Sequence, residues 1–149
     1  MNKLKNYIPL LFLFFLSFDV NSQLLNVHAR AEESKEIAIE WLDLLESGNY
    51  KKSFEMLSPI FKANLTSDGW AEINSSNREQ VGKLLSRKFK RIVPYQDPPN
   101  SPLPGLYIAV EFDSVYEKAS KHFQYIILHS QNSEPFKVMR HEVTQLTDG

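Results

Sequence analysis

The sequence predicts an α+β fold: three N-terminal helices packed on one face of an antiparallel four-stranded sheet. Apolar residues in the first half of the chain recur at helical spacing. Those in the second half alternate, and the two regimes do not interleave. Helices followed by strands favour an antiparallel sheet with its helices gathered on one face over a βαβ arrangement.

Ile37, Trp41, Leu44 and Leu45 fall at i, i+4, i+7 and i+8 and predict a first helix over about Ala29–Ser47. Ala38 and Leu42 widen its apolar face, while Glu32, Glu33, Lys35 and Glu36 solvate the opposite side. Gly48 can take the left-handed conformation that closes a helix, and Asn49 can cap the next one. The second helix carries Tyr50, Phe54, Leu57 and Phe61, but Pro59 lacks an N–H and clashes with the preceding turn. A broken or kinked helix is expected, with Ser58 capping the restarted turn. The third helix opens at TSDGW with Ser67 or Asp68 as its cap and stops near Gly82. It is expected to point Trp70, Ile73 and Val81 inward and to leave Arg78 and Glu79 on its outer side.

Strands are expected near Leu85–Tyr95, Leu106–Tyr116, His122–His129 and Phe136–Leu146. In the second of these, Leu106, Ile108, Val110 and Phe112 face one way and Tyr107, Ala109, Glu111 and Asp113 the other. The PYQDPPNSPLPG segment holds five prolines in twelve residues and reads as a stiff connecting loop. SQNSEP reads as the turn of a final hairpin.

The chain opens with a short basic head, MNKLKNY, followed by the uncharged run Ile8–Phe18. That run is too short to span a bilayer, which takes about 20 apolar residues. It has the length and flanks of a secretory signal, with cleavage expected after Ser22. The predicted organisation is a signal peptide over residues 1–22 and one domain over 23–149, exported to the periplasm or the medium. The membrane would be met only through the export signal. A net charge of −1 argues against a dedicated nucleic-acid binder. There is no cysteine, hence no disulfide framework and no thiol nucleophile.

The order WLDLLESGNYKKSFEML, FKANLTSDGW, REQVGKLLSRKF, PLPGLYIAVEFDSVY and FKVMRHEV resembles a bacterial secreted family catalogued as domain of unknown function 4019, over about Ala38–Val143. The more specific pieces are Trp41 with Gly48 and Tyr50, then Trp70, Gly82 with Ser86–Arg87, and Pro104–Gly105 followed by Tyr107. The resemblance implies a fold similar to nuclear transport factor 2, in which three helices pack into the concave side of a curved sheet and leave a conical cavity. It implies no activity. The chain departs from the family pattern at Phe136, at His141 and around His122, where a tryptophan, a tyrosine and a glutamate are usual.

Enzymes on such a cone often pair a histidine or tyrosine with an acid, which makes His122, His129, His141, Glu111 and Asp113 the candidates. Strand alternation puts both acids outside the cone, so the histidines read as surface or structural and no catalytic residue is assigned. His28, His122, His129 and His141 show no metal-ligand spacing, and no metal or cofactor is expected. Trp41, Tyr50, Phe54, Phe61, Trp70 and Phe112 could line a ligand cavity, although core packing explains the same pattern.

The preferred reading is a non-catalytic binding module for a small apolar ligand or a partner protein, with a homodimer through the sheet as one form of partner. The alternative is a cavity enzyme of hydrolase or isomerase type. In REQVGKLLSRKFKR, residues 78–91, six of seven charges are positive. Alternation would put Arg87, Phe89 and Arg91 on one face and Lys88, Lys90 and Ile92 on the other, so neither face is purely basic. Arg87 is expected to pair with an acid on a neighbouring strand, Glu111 or Asp113. The competing reading of this stretch is a patch for anionic lipid or polysaccharide.

Overall fold

The computed structural model describes residues 10–145, with side chains from Asn26 onward and Ser120 excepted. Four helices precede four strands: α1 Leu10–Glu46, α2 Tyr50–Glu55, α3 Pro59–Lys62, α4 Ser67–Val81, β1 Leu84–Gln96, β2 Leu106–Tyr116, β3 Ala119–Ser130 and β4 Lys137–Gln145. The strands form one antiparallel meander in the order β1-β2-β3-β4.

Two expectations are corrected here. Four helices stand where three were expected, because the Pro59 break is complete. Ser58 caps α3 by accepting from the Phe61 N–H at 3.2 Å. The backbone between α2 and α3 turns away to meet the sheet, where Leu57 bridges Val138. There the Ser58 N–H donates to Val138 O at 2.8 Å and the Val138 N–H donates to Met56 O at 3.0 Å. The sheet, moreover, is neither closed nor strongly curled, so the cone similar to nuclear transport factor 2 is not present. β1 and β4 are its two edges and do not pair with each other, so no hydrogen bonding draws the sheet round on itself. The space a cone would leave is filled over half the sheet by Trp41, Leu42, Leu57 and Trp70.

The remaining boundaries follow from local chemistry. α1 extends back to Leu10, so the expected cleavage point after Ser22 falls within this helix, and the basic head MNKLKNY lies outside the described residues. No helix among the described residues is long and apolar enough to cross a membrane. Thr66, rather than Ser67 or Asp68, caps α4 by accepting from the Gly69 N–H at 3.1 Å. Gly82 ends α4 with φ of 75°, and a Cβ there would lie 3.0 Å from Glu117 Cβ. That close approach lets the β2–β3 turn dock on the helix end, with the Lys118 N–H donating to Val81 O at 2.9 Å. Pro94 is accommodated within β1 because β1 is an edge strand. The prolines that follow fold back over the sheet, where the Tyr107 hydroxyl donates to Leu103 O and His129 Nε2 lies 2.9 Å from Pro104 O. Of the expected fourth strand, Leu146 lies outside the described residues.

The core lies between the helices and the face of the sheet turned toward them, the inner face. Trp41 is 0% exposed and packs beside Trp70 with ring centroids 6.1 Å apart. Both indole N–H groups find partners on buried Ser53: Trp41 Nε1 donates to its carbonyl at 3.0 Å and Trp70 Nε1 to its hydroxyl at 2.9 Å.

Candidate functional site

Register sorts the inner face into four transverse rows. The first is Pro94, Ile108, Leu128 and Val138, and the second is Ile92, Val110, Ile126 and His141. The third is Phe89, Phe112, Gln124 and Val143, and the fourth is Arg87, Ser114, His122 and Gln145. The sheet thus grades from fully apolar to largely polar along its strands. The C-terminal end of α1 and the face of α4 roof the polar end. A cleft of about 280 Å³ lies between them.

One wall of the cleft is aliphatic, formed by Leu42, Leu45, Val81 and Val143. The rest is polar and centred on Glu46. The Tyr116 hydroxyl donates to Glu46 Oε1 at 2.8 Å, and Arg87 Nη2 donates to the same oxygen at 2.9 Å. Arg78 donates to Oε2. Gln124 Nε2 donates to the Tyr116 oxygen at 2.9 Å, and the Ser114 hydroxyl donates to Gln124 Oε1 at 3.3 Å. Burial pushes the Tyr116 pKa up, and the neighbouring Glu46 charge adds to that.

Two histidines complete the site. His122 sits edge-on to Tyr116, and His141 sits edge-on to Trp41 with centroids 5.0 Å apart. His122 Nδ1 and His141 Nε2 are buried and have no hydrogen-bond partner among the described residues. Burial, with Arg87 as a second cause, holds the His141 pKa down to about 4, so this imidazole is neutral at physiological pH. Among the described residues, no acid is hydrogen-bonded to either histidine. The acid nearest the role, Glu46, has both oxygens engaged by Tyr116, Arg87 and Arg78.

The sequence candidates are therefore divided. His122 and His141 enter the cleft, whereas His129 lies on the outer face against the proline-rich loop. Glu111 and Asp113 are also on the outer face, where they meet Arg91 and Lys121. No group of three or more potential metal ligands occurs among the described residues. None of the six candidate aromatics lines the cleft. Trp41, Trp70 and Phe112 are buried in the core, and Tyr50, Phe54 and Phe61 pack against it. They form a buried aromatic cluster that supports the cleft through the Trp41–His141 contact.

Four readings of the basic stretch and of α4 change. A β-bulge between Phe89 and Arg91 resets the alternation, so Arg91 turns outward to Glu111 at 2.7 Å. Arg87 bonds not to a neighbouring strand but to α1, reaching Asp43 at 3.1 Å and Glu46 at 2.9 Å. Arg78 faces the cleft, not the outer side, while Ile73, expected inward, is 50% exposed.

Glu46, Arg78, Tyr116 and Gln124 were missed as site residues, although a signal for each side of the cleft was present. Trp70, Asn74 and Arg78 are spaced i, i+4, i+8 and share a helix face. The alternation that buries Ile108, Val110 and Phe112 continues into Ser114 and Tyr116, polar residues on an apolar parity.

Searches of curated proteins and of solved structures found no match. The family model described as a protein of unknown function (DUF4019) matches residues 37–140. That span includes the caps, both tryptophans and nearly all of the cleft, and it covers well over half of the chain: the protein belongs to the DUF4019 family.

Proposed function

We propose that the protein is an exported, non-catalytic binding module that holds a small, largely apolar molecule in the cleft beneath α1 and α4. The observation that carries this reading is the composition of the cleft. An aliphatic wall faces a polar end in which two buried histidine nitrogens lack protein partners. Buried polar groups are ordinarily satisfied, so unpartnered ones beside a cavity favour a bound guest. The alternative, a hydrolase or isomerase, needs a carboxylate to orient a histidine as general base. Glu46 is held by three other donors instead.

The test is a titration of ¹⁵N-labelled protein with octanamide, an uncharged eight-carbon probe. Shifts should centre on Asn77–Val81 and His122–Gln124. Shifts centred elsewhere, or none with the probe at millimolar concentration, refute the reading. Export is tested separately by intact mass of protein from its own host. The expected chain begins at Gln23, and recovery of full-length chain in the cytosol refutes export.

A further inference from the structure

We infer that the molecule held in the cleft carries a carboxylate, received by Arg78 at the polar end, with its apolar body along Leu42, Leu45, Val81 and Val143. This rests on the cleft being a binding site, and it follows from a count of donors and acceptors. The oxygen acceptors of the Glu46 network are occupied. Glu46 Oε1 takes Tyr116 and Arg87, Glu46 Oε2 takes Arg78, Gln124 Oε1 takes Ser114, and the Tyr116 oxygen takes Gln124. Donors remain. Arg78 reaches Glu46 through Nη1 alone, leaving the rest of its five-donor fork. A ligand that complements this surface brings acceptors.

Charge points the same way. Arg78 and Arg87 both contact Glu46, the one acid among the described residues that line the cleft. Asp43 also touches Arg87, but its side chain is 65% exposed and its charge is screened by water. The carbonyl ends of α1 and α4 could oppose an anion, yet most of them are already bonded. Leu44 O accepts from Asn49, Leu45 O from Gly48, Arg78 O from Gly82 and Val81 O from Lys118. One net positive charge suits a monoanion better than a phosphate, which brings about −1.5 to −2. A carboxylate also matches the planar fork of arginine. The volume, about 280 Å³, lies at the lower edge of the range for small-molecule pockets, so the acid is a short aliphatic or single-ring one.

The experiment compares octanoate with octanamide at pH 7.5 by calorimetry, on the chain beginning at Gln23 and its Arg78→Gln variant. Octanoate should bind about tenfold or more tighter, as a charge-assisted contact implies. Arg78→Gln should bring the two probes within about twofold of each other. If neither probe binds the wild type, the cleft itself is refuted. If both bind equally, the cleft stands and the carboxylate inference falls. A preference for octanoate that survives Arg78→Gln removes Arg78 from the role. Should that variant unfold, the Arg78 Nε–H resonance of the wild type decides the same point: it should shift with octanoate and not with octanamide, and the absence of a shift overturns the assignment.

Discussion

The two ends of the inner sheet face are built from the same strands and differ in almost everything else. At one end Ile108, Leu128 and Val138 are all 0% exposed, and α2, α3 and both tryptophans seal the layer above them. At the other end the rows turn to Gln124, Ser114, His122 and Arg87, and the roof is the cleft-facing side of α4. The sealed end carries the apolar burial that holds helices to sheet, at about 25 cal/mol per Å² removed from water. The polar end gives up part of that burial and keeps a cavity. Stability and the proposed recognition are thus separated along the strands instead of being divided between two faces of the sheet.

Perturbing each end should show that separation. The largest effect is expected at the sealed end. Trp70→Ala removes a buried ring and its bond to Ser53, and should cost about 3–5 kcal/mol in urea unfolding. A loss below about 1 kcal/mol would mean that the aromatic cluster does not anchor the fold.

The second test is one of pH. His141 is neutral in the fold, with its pKa near 4 against an ordinary value of 6.5. The unfolded chain therefore takes up a proton first, and stability is lost as pH falls from about 6.5 toward 4. Above that window His141 contributes no pH dependence. The loss should reach about 3 kcal/mol. His141→Phe keeps a ring against Trp41 and should remove this component. Parallel stability curves for wild type and variant between pH 7 and 4 would contradict the buried, neutral assignment.

The smallest effects separate the cations of β1. Arg87→Ala removes one of three donors to Glu46 and should cost about 1.5–3 kcal/mol, the range for a hydrogen bond to a charged group. Lys88→Glu with Lys90→Glu, both exposed, should stay near ±0.5 kcal/mol. If the double lysine variant instead abolishes a salt-sensitive association with anionic vesicles that the wild type shows, the edge is a functional patch after all.

The helix stops, the strand positions and the inward tryptophans could be read in the sequence because each depends on nearby residues. Gly48, the Ser58–Pro59 break and Gly82 act locally, and the alternation of β2 needs no partner to be seen. Arg91 could not be placed, because the bulge at Lys90 shows only in the pairing of two strands. The partners of Arg87 lie 44 and 41 residues earlier, so nothing local announces them. The cone failed for a related reason. Curvature depends on how the whole sheet meets its helices, and no single strand encodes it. The cleft was partly visible in Tyr116, Gln124 and Arg78, polar residues on buried parities, but their convergence on Glu46 is tertiary.

The backbone bridge between Leu57 and Val138 bears on the order of events during synthesis. The break between α2 and α3 finds these backbone partners only in the last strand. A chain emerging N-terminus first, at about 5–20 residues per second, cannot lock its helical half until β4 has been made. Until then Met56–Ser58 should open readily. In hydrogen exchange, a chain truncated before Lys137 should lose protection at α2 and α3 while the more local turns of α4 retain some. Full protection of α2 and α3 in that fragment would show that the helical half folds without waiting for the sheet.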